Sequence, residues 1–320
     1  MDIQEFTERA ERLIEEIETV IVGKREAVKM VLIGLMCQGH ILIEDIPGVG
    51  KTMLARSLAL SIDCDFSRIQ FTPDLLPADI TGTTIYEKGA EQFSFRPGPI
   101  FANIVLADEI NRATPKSQSA LLECMEEFQV SFAGHTYKLP RPFFVIATEN
   151  PIEYEGTYPL PEAQLDRFLM NVTIGYPEPD EEVEVLQRQV LEHPIETVEP
   201  VATAEDMVQM QQLLRRVHID RSLQRYAVDI ATATRNHDAV QLGASPRGSL
   251  ALMRCSQGIA ALEGRSHIVP DDIKRVAVPA LSHRIIVKPD ERIRGIGPAH
   301  IVEDILETIP VPVVESEVGS

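Results

Sequence analysis

Up to about residue 176 the chain alternates short apolar runs with amphipathic segments, the rhythm of a parallel α/β protein. The runs predict strands at His40–Glu44, Phe66–Phe71, Ala102–Ala107, Phe143–Thr148 and Phe168–Ile174. Ile104–Ala107 and Phe143–Ala147 are apolar at successive positions, which predicts strands covered by helices on both faces. Apolar spacing of three and four predicts helices at Glu5–Thr19, Arg25–Gln38, Lys51–Ser61 and Pro115–Glu127. Two stretches, ITGTTIYEKGAEQFSF and QVSFAGHTYKL, alternate around a Gly-containing turn and read as β-hairpins projecting from the sheet. After YPEPD the pattern becomes helical throughout, at Glu181–Leu191, Ala204–Val217, Leu223–Arg235, Pro246–Glu263 and Pro270–His283. The expected organisation is therefore an α/β domain over residues 1–192, an all-helical domain over 193–310, and a frayed tail over 311–320, at the end of the run IPVPVVESEVGS, which has two prolines and no basic group.

Length agrees, since 320 residues is about twice one ordinary domain. With 44% hydrophobic and 25% charged residues the composition is that of a globular protein. The formal net charge of −19 argues against a nucleic-acid binder, because displacing counterions from phosphates needs a basic surface. No apolar run approaches the roughly 20 residues of a membrane span, and the acidic N-terminus is unlike a signal peptide, so a cytoplasmic location is expected. Cys37, Cys64, Cys124 and Cys255 are widely spaced, which reads as isolated buried thiols, not as disulfides or zinc ligands.

The chemistry concentrates in three places. HILIEDIPGVGKTMLARSL sets a strand, a glycine-rich loop and a helix in succession, the context of a phosphate-binding loop made by Pro47, Gly48, Val49, Gly50, Lys51 and Thr52. Backbone N–H groups at a helix N-terminus suit an anion, Lys51 suits the β- and γ-phosphates, and the Thr52 hydroxyl suits Mg²⁺. Asp45 departs from the motif, standing where its first Gly is expected. Downstream, the run ANIVLADE ends in Asp108–Glu109, placing two carboxylates at a strand's carboxyl end. Asp108 is the expected partner of Mg²⁺, and Glu109 can polarise a water for attack on the γ-phosphate. In GASPRGSL, Ser245 caps a helix and Pro246 opens it, so Arg247 falls in the first turn, where the helix dipole disfavours a cation; that mismatch points to a functional role.

The runs IEDIPGVGKTMLARSLA, FRPGPIFANIVLADEINRATPKSQSALLECMEE, FFVIATENP, LPEAQLDRF and GASPRGSLAL resemble, in order, the MoxR family of AAA+ ATPases, over about residues 20–290. The resemblance implies an αβα P-loop domain with a helical lid, ATP and Mg²⁺ as ligands, and a homo-oligomeric, hexameric ring. It also implies chaperone-like work on protein clients, often with a partner carrying a von Willebrand factor A domain. Residue by residue, it implies that Asn150 is the sensor that positions the attacking water and that Arg167 of LDRF is an arginine finger reaching a neighbour's nucleotide. It makes Arg247 the second sensor, and Val22 and Gly23 the segment touching adenine. Each has a plain alternative: an Asn-Pro turn for Asn150, and an exposed ion pair for Arg167, although the neighbouring sequence offers Arg167 no close anionic partner. Family members usually carry Ala where this chain has Gly248, and Arg112 of INRA has no assigned role.

Two other functions share these motifs. A nucleic-acid translocase would use the same hairpins, but they carry only Lys88, Arg96, His135 and Lys138 as basic groups. A chelatase motor subunit is the other. The aromatic residues of the hairpins, Phe93, Phe95 and Phe132 among them, are open to two readings, client contact or packing against the sheet.

Overall fold

The computed structural model describes residues 1–87, 92–132, 134–150, 156–190 and 193–312. The chain begins with helices α1 (Ile3–Glu18) and α2 (Arg25–Met36), followed by strand β1 (Ile41–Glu44), α3 (Lys51–Ser61), β2 (Phe66–Gln70) and a short α4 (Pro77–Thr81). Hairpin β3–β4 (Gly82–Glu87, Gln92–Pro97) and β5 (Ile104–Asp108) precede α5 (Pro115–Glu127). Hairpin β6–β7 (Gln129–Phe132, His135–Lys138), β8 (Phe144–Glu149), α6 (Glu162–Leu165) and β9 (Met170–Val172) complete the α/β part. The remainder is α7 (Pro179–Arg188), α8 (Ala204–Leu214), α9 (Arg221–Asn236), β10 (Val240–Leu242), α10 (Pro246–Leu262), α11 (Pro270–Leu281), β11 (Ile286–Val287), α12 (Pro289–Ile293) and α13 (Pro298–Thr308).

Five strands form one sheet in the order β2-β5-β8-β1-β9. The pairings β2 with β5, β5 with β8 and β1 with β8 are parallel. Every residue of β5 but Asp108, and every residue of β8 but Glu149, is buried, as the unbroken apolar runs predict. Their carboxyl ends alone reach solvent. Leu42, Val105, Val145, Leu121, Leu122 and Phe168 belong to one packed core. Among the described residues, no helix is long and apolar enough to cross a membrane.

The chain makes two compact units. One holds Glu11–Phe168 and Val172–Val208; the other holds Met1–Ala10, Leu169–Asn171 and Gln209–Ser320. The expected boundary at 192/193 is thus displaced, and local hydrogen bonds give the reason. Val201 N and Ala202 N donate to Ser61 O, and Glu199 N to Glu16 Oε1, which hold residues 193–208 with the sheet. Thr7 Oγ1 donates to Ala261 O at 2.9 Å, which holds the first ten residues with the helices. The helical unit also carries an antiparallel ladder, β10 with β11, in which Val240 faces Val287. Two- and three-residue strands are too short to show a period of two, so the sequence reads there as loop. Its helix α9 starts two residues earlier than expected because Asp220 caps it, accepting from Ser222 N at 2.7 Å. Strand β9 covers three residues of the seven expected at Phe168–Ile174, since Ile174 N is taken by a side chain, Asp45 Oδ2, and not by a neighbouring strand. The frayed tail lies outside the described residues beyond 312, as does Leu191, the expected end of α7.

None of the four cysteines is in a disulfide; Cys37, Cys124 and Cys255 are buried and Cys64 is half-buried. His40, just before β1, is also buried. Its Nε2 meets Met125 O at 3.0 Å and its Nδ1 accepts Val145 N at 3.0 Å, among the rings of Phe128, Phe143 and Phe144. Burial pushes its pKa down to about 4, with the Met125 carbonyl opposing. The unfolded chain takes up this proton near pH 6.5, so the stability supplied by neutral His40 is complete above that pH and is lost as pH falls towards 4. The full loss is about 3 kcal/mol. Thermal unfolding of His40→Gln is expected to start from a lower midpoint at pH 7 and to lose less than the wild type between pH 6.5 and 4; parallel pH profiles would refute this.

Candidate functional site

The loop between β1 and α3 is built from backbone that side chains rarely adopt. Gly48 and Gly50 have φ of 89° and 88°, and Gly50 is the left-handed N-cap of α3, so both turns need a residue without Cβ. Asp45, in place of the motif's first glycine, is not in that region and does other work. It is buried, and its Oδ2 accepts from Ile174 N (2.8 Å) and Gly175 N (2.7 Å), its Oδ1 from Ile46 N (2.9 Å). The carboxylate therefore latches the start of the loop to the segment after β9. Lys51, the first residue of α3, donates from Nζ to Asp45 O and, at 3.3 Å, to Glu149 O. Burial lowers the Lys51 pKa, against the pull of Asp45, Asp108 and Glu109. Burial, then repulsion from Glu44, pushes the Glu149 carboxyl up to about 7.

Across from this loop, Asp108 closes β5 and Glu109 leaves it with φ 56° and ψ 51°. A left-handed conformation costs a non-glycine residue about 1–2 kcal/mol. Here it is held by Thr148 of β8, whose Oγ1 accepts from Glu109 N at 2.9 Å and donates to Asp108 Oδ1 at 2.7 Å. Strand β2 supplies Arg68 and Gln70. Arg68 reaches Asp108 Oδ2 with Nη2 at 2.6 Å and Nε at 3.1 Å. Glu109 Oε2 accepts from Gln70 Nε2 at 2.8 Å and from Arg112 Nη1 at 2.9 Å, which gives Arg112 a contact that the sequence left unassigned.

Lys51, Arg68, Asp108, Glu109 and Thr148 are among the residues that line a cavity of about 350 Å³. Of the residues expected from the sequence, Pro47, Gly48, Gly50, Lys51 and Thr52 line it on the loop side, and Asp108, Glu109 and Asn150 on the strand side. Asn150, at the end of β8, is buried; the rest of its expected turn, from Pro151, lies outside the described residues. Val49 belongs to the loop without lining the cavity. Val22 and Gly23 also lie off it, although Ile21 Cδ1 comes within 3.7 Å of where a Gly50 Cβ would stand. Arg167 is not a lining residue; its Nη2 pairs with Glu126 Oε2 of α5 at 3.3 Å, half-exposed on both sides. The fold thus supplies an anionic partner from 41 positions earlier. Arg247 stands in the helical unit as the second residue of α10, with its N–H on the Ser245 cap at 3.1 Å. Sequence reasoning missed Arg68, Gln70 and Thr148. In FSRIQ, Arg68 and Gln70 are two apart and so share a face, but their partners follow from register, which sets Gln70 opposite Asp108.

The cavity offers a cation (Lys51), N–H groups at a helix start, hard oxygen donors (Thr52 and Asp108) and a carboxylate (Glu109). The residues fit Mg²⁺. Among the described residues no group of three or more His, Cys, Asp or Glu could hold a metal ion alone. A cation here would complete its shell with phosphate and water oxygens, as Mg²⁺ prefers.

Similarity to known proteins agrees with this arrangement. Residues 40–170 match the family model for ATPases associated with various cellular activities, and residues 232–305 the model for the AAA lid domain. The chain is 53% identical to the uncharacterized protein YeaC of Bacillus subtilis, over 96% of each chain. It is 41% identical to the chaperone MoxR1 of Mycobacterium tuberculosis, over 96% of this chain and 83% of that one. The crystal structure of a candidate ATPase from Cytophaga hutchinsonii superposes with a TM-score of 0.91 at 39% identity, over 97% of both chains.

Proposed function

The chain belongs to the MoxR family of AAA+ ATPases, and we propose that it hydrolyses Mg²⁺-bound ATP to remodel or mature protein partners in the cytoplasm. The observation that carries the reading is that Lys51, Thr52, Asp108, Glu109 and Asn150 line the same cavity. The loop N–H groups and Lys51 hold the phosphates, and Thr52 and Asp108 would hold the cation, which would supply neutralisation of phosphate charge. Glu109 takes the proton of a water that Asn150 orients, and the water adds to the γ-phosphorus in line with the departing ADP oxygen. Val22 and Gly23, on the turn packed near Gly50, touch the adenine. Arg247, the second residue of α10, takes the role of second sensor.

Arg167 completes the site from a neighbouring subunit of a hexameric ring. Its place outside its own subunit's cavity supports this, because a finger acting in trans must point away from the nucleotide it does not serve. Engaging a neighbour gives up only a half-exposed pair with Glu126, worth about 1 kcal/mol or less. Mixing Arg167→Ala subunits with Lys51→Ala subunits is expected to restore part of the ATPase activity that each lacks alone. Mixed rings that form and stay inactive would refute the trans assignment.

The clients are proteins, presented with the help of a partner carrying a von Willebrand factor A domain. Phe95 stacks on Tyr137 at 4.1 Å and contacts Phe132 and Phe101 at 5.8 Å, so these aromatics join the two hairpins to each other. Tyr86 is left 52% exposed on β3 and His135 is exposed at the start of β7. The Phe93 side chain and Lys88 lie outside the described residues. Replacing Lys88 and His135 by Ala is expected to leave basal turnover unchanged and stability within about 0.5 kcal/mol, while reducing ATPase stimulation by a protein client. Stimulation of the wild type by single-stranded DNA, lost in this double variant, would favour a translocase instead.

A further inference from the structure

We propose that Arg68 is this protein's own counter-cation for Asp108, one that a divalent cation must displace before it can take that carboxylate. The inference rests on the nucleotide-site reading above. Asp108 has both oxygens engaged by protein donors: Thr148 Oγ1 on Oδ1 at 2.7 Å, and Arg68 on Oδ2 through Nη2 at 2.6 Å and Nε at 3.1 Å. The two contacts differ in kind. Thr148 is buried, lies on the central strand β8 and also holds the Glu109 backbone, so Oδ1 is tied to the frame of the site. Arg68 stands on β2, the edge strand, with its side chain 48% exposed, against 14% for Asp108. Oδ2 is therefore the oxygen open to exchange, and the guanidinium is the group free to leave.

Displacement has a second consequence. Arg68 Nη2 also donates to Gln70 Oε1 at 2.8 Å, and Gln70 Nε2 donates to Glu109 Oε2 at 2.8 Å. A chain of contacts thus runs Asp108–Arg68–Gln70–Glu109, joining the carboxylate that suits the cation to the one that suits the water. A cation on Asp108 withdraws one anchor of Gln70 and so loosens one of the two contacts on Glu109 Oε2, the other being Arg112 Nη1. By linkage, whatever holds Glu109 on Gln70 weakens the cation to the same degree.

Calorimetric titration of ADP in Mg²⁺ and in EDTA gives the factor by which the cation tightens nucleotide binding. ADP is chosen because it has no γ-phosphate for Arg68 to touch. In Arg68→Ala this factor is expected to rise by up to about fivefold, the worth of a half-exposed ion pair. In an Asp108→Asn background the same substitution should leave the factor unchanged, since the charge that Arg68 neutralises is gone. A factor that does not rise in Arg68→Ala overturns the proposal. So does an unchanged factor for ADP with a loss of affinity for a non-hydrolysable ATP analogue, which would make Arg68 a γ-phosphate ligand. Failure of the wild type to bind ADP in either condition would instead refute the nucleotide-site reading.

Discussion

Glu109→Gln is expected to bind ATP like the wild type and to hydrolyse it at least about 10²-fold more slowly. The amide is isosteric, and its oxygen can still accept from Gln70 Nε2 and Arg112 Nη1, so the local hydrogen bonds of Glu109 survive. Only the basic oxygen that would receive the proton of water is lost. Lys51→Ala is the complementary case. The Lys51 ammonium is the cation standing against the loop, fixed by the carbonyls of Asp45 and Glu149, and its removal should abolish nucleotide binding itself. Nucleotide titration and phosphate release separate the two, because one variant should fail in binding and the other in turnover. Near-wild-type turnover in either would refute the roles assigned here.

Asp45→Gly is expected to destabilise the protein strongly although it restores the commoner loop motif. The substitution removes the acceptor of three backbone N–H groups, those of Ile46, Ile174 and Gly175. Hydrogen bonds to a charged group are worth about 1.5–3 kcal/mol each, and a buried donor left without a partner carries its own cost. These contributions are not additive, and a net loss of about 3–5 kcal/mol is expected. Glycine adds backbone freedom to the unfolded chain, roughly 0.5–1 kcal/mol more. Asp45→Asn, which keeps one acceptor oxygen, should fall between the two. Denaturant unfolding with and without ADP measures both the fold and the loop; a loss below about 1 kcal/mol for Asp45→Gly would show that the latch does not hold the site.

Much of the architecture is legible along the chain because its causes are local. A strand buried on both faces must be apolar at successive positions, and β5 and β8 are. A loop with two left-handed turns needs glycine at 48 and 50, and the first turn of α10 needs the cap that Ser245 provides. These requirements act within a few residues, so the identities of Lys51, Thr52, Asp108 and Glu109 mark one end of a sheet before any strand order is known, while Asn150 joins them in the sequence only through the family resemblance.

What the period of hydrophobicity cannot carry is which strands are neighbours, since a parallel sheet joins residues that are far apart in sequence through strands of similar pattern. Arg68 meets Asp108 40 positions away and Gln70 meets Glu109 39 away. Both contacts exist because β2 pairs with β5 and sets Gln70 opposite Asp108. Asp45 reads in sequence as a defect of its motif; it becomes a latch because the fold brings Ile174 and Gly175, 129 and 130 positions later, within reach of one carboxylate. The sequence by itself determined which chemistry is present and at which end of the strands it stands, because glycine conformation, capping and two-faced burial act locally. Only the tertiary structure decided which group neutralises each carboxylate, because an ion pair depends on distance in space, and strand order alone creates it.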